Sequence, residues 1–524
     1  MPTGKAYNYL IVLTVALASF TYGFSSSIIG SVLGLPAFFT YFSLDPSSHY
    51  GSSILGAANG LFAGGGMIGC LFVARLSDKL GRVSTMRIIC VIALVGAILQ
   101  GAAVHIAMFL VGRTFGGMSA AMMNMVAPVY QSEVSPPTKR GKMVGLHGFM
   151  IVGGYTSAAW AGLGCYFLTG DLQWRLAACL QVVSPSLLLA GSFYIPESPR
   201  WLLMRNRGDQ AFDILKKLHS SGHGSDDLLA REEYLQISQQ LVLESQNHVS
   251  FWAELKKPSV RKRFMTAIFI QFIAQSTGVL VTSNYQVLLW QGLGVTKYMP
   301  LVLYGIYTLW ACSLNGVASR IIDRVGRVRL LSIGLTGCVA MLTLFTALSA
   351  KYAGTSNKAG QACAVLFLYL FVTFYASCVD ATSYVYCAEI FPTNLRSQGM
   401  ATSIFSLFAA TLLYTQPAAT AFATIGWKYY LIFIIVPTLG LPLVYRLPET
   451  RGLSLEEIAG VFGDEVALDL THMATIEKAK LDEELRIGNG VNVLDQIADH
   501  RRESIQQHEK MDQHEVSEIE KMST

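Results

Sequence analysis

The chain has 524 residues, of which 52% are hydrophobic and only 14% charged, with a mean hydropathy of +0.43. A soluble chain carries roughly a quarter charged residues, so a water-soluble globular protein is excluded. The formal charge of +5 is too small to suit a nucleic-acid partner.

Apolar runs of about 20 residues reach across the ~30 Å hydrocarbon layer as helices. In chain order they fall at 8–30, 52–74, 86–106, 108–130, 144–167, 176–195, 264–291, 300–321, 329–350, 363–387, 398–422 and 428–446. The pattern is six spans, a polar interval, then six more. It predicts an all-α integral membrane protein with two pseudo-symmetric six-helix bundles, residues 1–203 and 263–448. The first span is long and lacks a small-residue cleavage site, so it reads as a retained anchor.

Between the bundles, 204–262 carries apolar residues at helical spacing around Ala211–Leu218 and again over 228–246. That spacing predicts an amphipathic helical subdomain on one side of the membrane. The tail, 449–524, opens with a helical stretch over 453–462. Beyond about residue 487 its apolar content is too thin for an independent fold.

Lys and Arg in short loops set orientation. Arg75, Lys79, Arg82 and Arg87 follow the second span, and Lys139, Arg140 and Lys142 follow the fourth. Arg320, Arg324, Arg327 and Arg329 follow the eighth, and Arg396 follows the tenth. These loops are expected in the cytosol, with both termini on that side and the plasma membrane as the default location. The nine cysteines lie in or at the ends of apolar runs without paired CxxC spacing, so neither a metal site nor a disulfide framework is supported.

The two bundles spell the same words. Asp78-Lys79-Leu80-Gly81-Arg82 recurs as Asp323-Arg324-Val325-Gly326-Arg327. Glu133 is followed by Arg140-Gly141, and Glu389 by Pro392 and Arg396. Pro196-Glu197-Ser198 closes the first half, with Arg200 just beyond, and Pro448-Glu449-Thr450 closes the second. A duplicated bundle lets two halves rock about a shared midplane site. The charged words form a cytosolic gate on this reading. Arg82 and Arg140 meet Asp78, Glu133 and Glu197; Arg327 and Arg396 meet Asp323, Glu389 and Glu449. Arg–carboxylate pairs are directional enough for that task. Gly81 and Gly326 supply the tight turns.

Gln271, Gln275, Gly278, Thr282 and Tyr285 recur at helical steps along the seventh span, a polar stripe expected to face the central cavity. Asp380 lies nine residues before Glu389, about 13 Å along a helix axis at ~1.5 Å per residue. An acid at that depth is costly and marks a solute-binding or proton-carrying position. His147 is a weaker coupling candidate.

These words resemble the sugar porter branch of the major facilitator superfamily over roughly residues 8–460. Carrying the likeness are Gly112-Arg113, Pro128-Val129-Tyr130, Glu133, Arg140-Gly141, Trp174-Arg175 with Gln181, and Pro196-Glu197-Ser198-Pro199-Arg200-Trp201. Gln275, Gly278, Tyr386, Glu389, Pro392, Arg396 and Pro448-Glu449-Thr450-Arg451-Gly452 carry it in the second half, and Ile425 to Tyr430 looks like fungal members. The resemblance implies that Gln275 contacts solute and that Asn284 and Tyr285 sit at an outer gate. It places Tyr384 where a Trp is usual. It also marks departures. Gly148, Ala274 and Leu280 stand where such proteins carry Gln, Gln and Asn, and the eleventh span has no Asn. A hexose would lose hydrogen bonds at each. Ser25 stands where proton-linked relatives carry Asp, although its partner Arg113 is kept.

The expected function is facilitative transport of a sugar or sugar-like solute by alternating access, by a monomer without cofactor or metal. One alternative is a proton-coupled symporter or exporter of a non-hexose small molecule, with protons as second partner and Asp380 titrating. The other is a nutrient sensor that signals through its tail. No nucleophile–base pair or phosphate-cradling loop suggests an enzyme.

Overall fold

A computed structural model describes residues 4–46, 48–134, 140–219, 254–352, 357–392, 395–451 and 455–463, with a few isolated positions between them. The chain divides into two compact units, Met1–Arg451 and Gly452–Thr524. Every regular element among the described residues is helical.

Among the described residues, ten segments are long and apolar enough to cross a bilayer. They are Leu10–Val32, His49–Leu80, Arg82–Gly101, Ile106–Val134, Leu172–Gly191, Pro258–Asn284, Met299–Ala318, Arg327–Tyr352, Lys358–Glu389 and Gly426–Tyr445. Arg140–Tyr166 and Arg396–Thr415 are helices of 27 and 20 residues at the expected fifth and eleventh places. Both pack across the boundary between halves, the fifth against the eighth and the eleventh against the second. That placement relieves them of the need to be fully apolar. Leu71, Phe72, Ile98, Leu439 and Leu443 are exposed on the bundle's outside. Apolar surface on that scale suits lipid, not water.

Several helices run past the predicted apolar cores. The second is 32 residues long and carries the Asp78 word as its own last turn. The seventh begins at Pro258, inside the interval predicted as linker. Of that interval, Gly208–His219 is a helix whose Ala211 packs with Trp201 and Leu202; most of 220–253 lies outside the described residues. In the second unit Leu455–Phe462 is helical, as the sequence suggests, and 464–524 lies outside the described residues.

The seventh span departs most from expectation. Its helix stops at Gln275 and restarts at Val279, with Gly278 at φ +80° between them. A Cβ there would sit 2.6 Å from the Phe433 ring, so both the conformation and the contact demand glycine. The polar residues predicted to share one face therefore lie on two helices.

Aromatic clusters staple the far ends of both bundles. Trp174, fully buried, packs between Phe38 at 5.8 Å and Phe109 at 6.5 Å, with the Arg175 guanidinium 4.6 Å above its ring. In the other bundle Tyr429 packs on Phe433 at 5.1 Å and on Phe422 at 5.3 Å.

Candidate functional site

At the end with the basic loops, each half builds the same clasp. Arg82 opens the third span and donates through Nε and Nη2 to Glu133 Oε2 and Oε1, both at 3.1 Å. Arg327 opens the ninth span and donates to Glu389 through Nη2 at 2.8 Å and Nε at 3.1 Å. The remaining glutamates do something the sequence did not suggest. Glu197 accepts the backbone N–H of Arg82 at 2.8 Å and of Val83 at 3.1 Å. Glu449 accepts those of Arg327 at 2.8 Å and Val328 at 3.0 Å. A helix start has four N–H groups without internal partners, and a carboxylate satisfies them while opposing the helix dipole.

Gly81 and Gly326 do more than turn the chain. They adopt φ +95° and +103°. A Cβ would stand 2.5 Å from Glu197 Oε2 in one copy and 2.8 Å from Glu449 Oε2 in the other. Tyr130 and Tyr386 complete the motif by donating to the carbonyls of Pro196 and Pro448 at 2.6 and 2.9 Å.

The arginine–glutamate pairs are those set out from the sequence, whereas Glu197 and Glu449 take backbone partners instead. Arg82–Glu133 and Arg327–Glu389 each close inside one half, and Glu197 and Glu449 serve as helix caps because backbone N–H groups lie nearest to them. Asp78 meets Arg82 at 3.4 Å, as expected. Arg200 lies in the short helix Pro199–Met204 and Arg396 starts the eleventh span. The side chains of Arg140 and Asp323 lie outside the described residues.

Midway along the bundle, a cavity opens between the halves. Tyr22, Val152 and Tyr155 line it from the first half; Gln275, Leu280, Tyr307, Tyr375, Asp380 and Tyr384 are among those lining it from the second. On the outer side, the Tyr285 hydroxyl lies 3.0 Å from the Thr415 carbonyl and 3.3 Å from that of Leu55, tying the two halves. Tyr304 and Ser27 join hydroxyls across the same boundary at 2.5 Å. Towards the basic end, Tyr22 packs on Phe408 of the other half at 6.4 Å and shares the cavity wall with Tyr384. Thus tyrosines close the cavity at both ends.

Of the predicted solute contacts, Gln275, Asp380 and Tyr384 reach the cavity. Gln275 Nε2 donates to the Tyr375 hydroxyl at 3.5 Å. Asp380 Oδ2 accepts from Asn315 Nδ2 at 2.8 Å. The π-helical turn Tyr375–Val379 immediately before Asp380 presents both Tyr375 and Asp380 to the cavity; such turns are frequent at functional positions. Gln271, Thr282, Asn284 and Tyr285 do not line it. Gln271 donates to Cys387 Sγ at 3.8 Å, and Thr282 bonds back to Val279 in its own helix. The break at Gly278 separates Thr282, Asn284 and Tyr285 from Gln275. Asn284 is buried beside Tyr285 at the outer closure.

The coupling candidates also separate. Arg113 is fully buried and donates to the carbonyls of Ala58 at 3.1 Å and Ser25 at 2.9 Å, with the Phe62 ring 4.2 Å away. Backbone carbonyls stand where a carboxylate could have. His147 Nε2 donates to Asn124 Oδ1 at 2.9 Å and Nδ1 accepts from Ser19 Oγ at 2.6 Å. Both ring nitrogens are engaged within the first half, outside the cavity wall.

Sequence reasoning missed Tyr22, Tyr155, Tyr307, Tyr375 and Asn315. One signal was present: Tyr307, Ala311 and Asn315 are spaced four apart and share a helix face.

Two six-helix halves enclosing one midplane cavity define a membrane carrier of the major facilitator fold. The chain belongs to the sugar (and other) transporter family, whose model matches residues 11–462. It is 30% identical to the MFS-type transporter criB of Aspergillus cristatus, over 88% of this chain and 94% of that protein. It is 29% identical to a high-affinity glucose transporter of Kluyveromyces lactis, over 88% and 86% of the two chains. The solved structure of the proton:xylose symporter XylE bound to 6-bromo-6-deoxy-D-glucose matches 88% of this chain and 100% of its own, with a TM-score of 0.73 at 21% identity.

Proposed function

We propose that this protein carries a sugar-sized, ring-shaped polar solute across a membrane by alternating access, without need of a proton gradient. The observation that carries this reading is the cavity between the halves, with walls from both and tyrosine closures at either end. Rocking would break the Tyr285–Leu55 and Tyr304–Ser27 contacts on one side or the Tyr22–Phe408 contact on the other. The glucose-transporting relative supports a sugar-like solute. Arg113 held by carbonyls, with Ser25 beside it, supports uniport. The basic loops support cytosolic clasps and cytosolic termini, and the reading takes the plasma membrane as destination and the monomer as working unit.

Leu280 lines the cavity and supplies a solute-independent test. Leu280→Cys, in a background without the nine native cysteines, should react with an impermeant thiol reagent added from either face of the membrane. Reaction from one face only would defeat alternating access.

Asp380 favours a second reading, proton-linked transport, because it is an acid in the wall of the translocation cavity. An imposed pH difference across proteoliposomes should then drive accumulation, and Asp380→Asn should abolish that drive while leaving counterflow. The sensor reading rests on the tail, most of which lies outside the described residues, and predicts signalling loss without flux loss on removing 464–524.

A further inference from the structure

The cavity wall has an unbalanced chemistry. Among the described residues that line it, Asp380 is the single charged side chain, and none is Lys, Arg or His. Asn315 occupies one oxygen of that carboxylate; among the described residues no other hydrogen bond to Asp380's side chain is made. Gln275 lies in the same wall, 7% exposed, with its Nε2 given to Tyr375 and its Oε1 buried without a hydrogen-bond partner. Two acceptor oxygens are therefore left over in one small space. Around them stand five tyrosines, 22, 155, 307, 375 and 384, and the apolar Val152, Val279 and Leu280.

Each feature favours the same solute chemistry. A carboxylate in a poorly hydrated cavity attracts a cation and repels an anion far more strongly than it would in water. An amide oxygen without a donor gains a hydrogen bond from an N–H, and leaving it unmet costs about 1–3 kcal/mol. Tyrosine rings attract ammonium groups at their faces while packing on a ring's apolar edges. Gly148 contributes space: a Cβ there would come 3.4 Å from Asn315 Oδ1. Arg113, a buried cation of the first half, is engaged with its own carbonyls and is not part of the wall.

We propose that the cavity selects a compact ring bearing a protonated amine, such as an amino sugar, with the ammonium on Asp380 and an N–H on Gln275 Oε1. This deepens the transport reading and rests on it. The wall disfavours ring carboxylates and gives neutral sugars no partner for the charge.

Three probes of similar size separate the possibilities: glucosamine, glucose and quinate. They are titrated against the purified full-length protein in nanodiscs at pH 6.5, with ligand-induced thermal stabilisation as readout. Glucosamine should bind at least about tenfold more tightly than glucose, a difference of about 1.4 kcal/mol, and quinate should bind weakest. Asp380→Asn should bring glucosamine to within about twofold of glucose. Gln275→Leu should weaken glucosamine while keeping the ranking. Equal or tighter binding of glucose or quinate by the native protein overturns the proposal, as does the absence of any glucosamine-induced shift. The native ranking decides the matter even if a variant fails to fold. Two-sided labelling at Leu280→Cys reports on transport separately. An intact alternation with a neutral-sugar preference would sink the amine and leave the carrier.

Discussion

The two clasps at the basic end share a backbone and differ in their side chains. In both, a glycine at positive φ admits a glutamate that caps the next span, and the capped arginine holds a second glutamate. The first copy is the more enclosed: Arg82 and Glu133 side chains are 7% and 9% exposed, against 11% and 25% for Arg327 and Glu389. It is also more elaborated. Trp201 Nε1 and Arg205 Nη2 donate to the Asp78 carbonyl at 2.9 and 3.0 Å, pinning the segment that leaves the first bundle. The second copy substitutes a hydroxyl, Thr450 Oγ1 donating to Glu389 Oε2 at 2.6 Å. Duplication preserved what the helix start requires and released what it does not.

This contrast can be broken by mutation. The largest effect should come from Arg82→Ala, which strands a nearly buried Glu133 and should cost about 3–5 kcal/mol. Arg327→Ala exposes a wetter glutamate and should cost about 1.5–3 kcal/mol. Reversible unfolding in mixed micelles measures both, and equal losses would show that burial does not distinguish the copies.

Next come Gly81→Ala and Gly326→Ala, each forcing a side chain into backbone space that belongs to glycine, at about 1–3 kcal/mol. Gly81→Ala should be the worse, because its Cβ meets the glutamate more closely. A benign Gly81→Ala would mean that Glu197 does not cap the third span. The smallest effects should be Thr450→Val, at about 1 kcal/mol, and then Asp78→Asn. The Asp78 side chain is 52% exposed, so its pair with Arg82 is worth only about 0.2–1 kcal/mol. A large loss at Asp78 would reveal a partner beyond Arg82.

Much of the clasp was legible because its residues are charged letters in apolar text. Which atoms they bond to was legible only in part. Glu197 and Glu449 choose backbone N–H groups, which carry no letter of their own, and the pairing of Arg82 with Glu133 depends on how the third and fourth spans cross. The seventh-span stripe misled for a related reason. Periodicity assumes an unbroken helix, and Gly278 breaks it against Phe433. Asp380 stood out as a lone acid in an apolar run. Its partner Asn315 and the cavity tyrosines did not, since tyrosine is common in spans and those five come from four of them.

The sequence alone determined the spans, their duplication, the charged ends and the membrane setting, because hydrophobicity over 20 residues and charge at helix ends act locally. Only the tertiary structure decided which polar side chains share the cavity and which glutamates cap helices. Those choices depend on distances between segments far apart in the chain, and a few ångströms separate a solute contact from a packing residue.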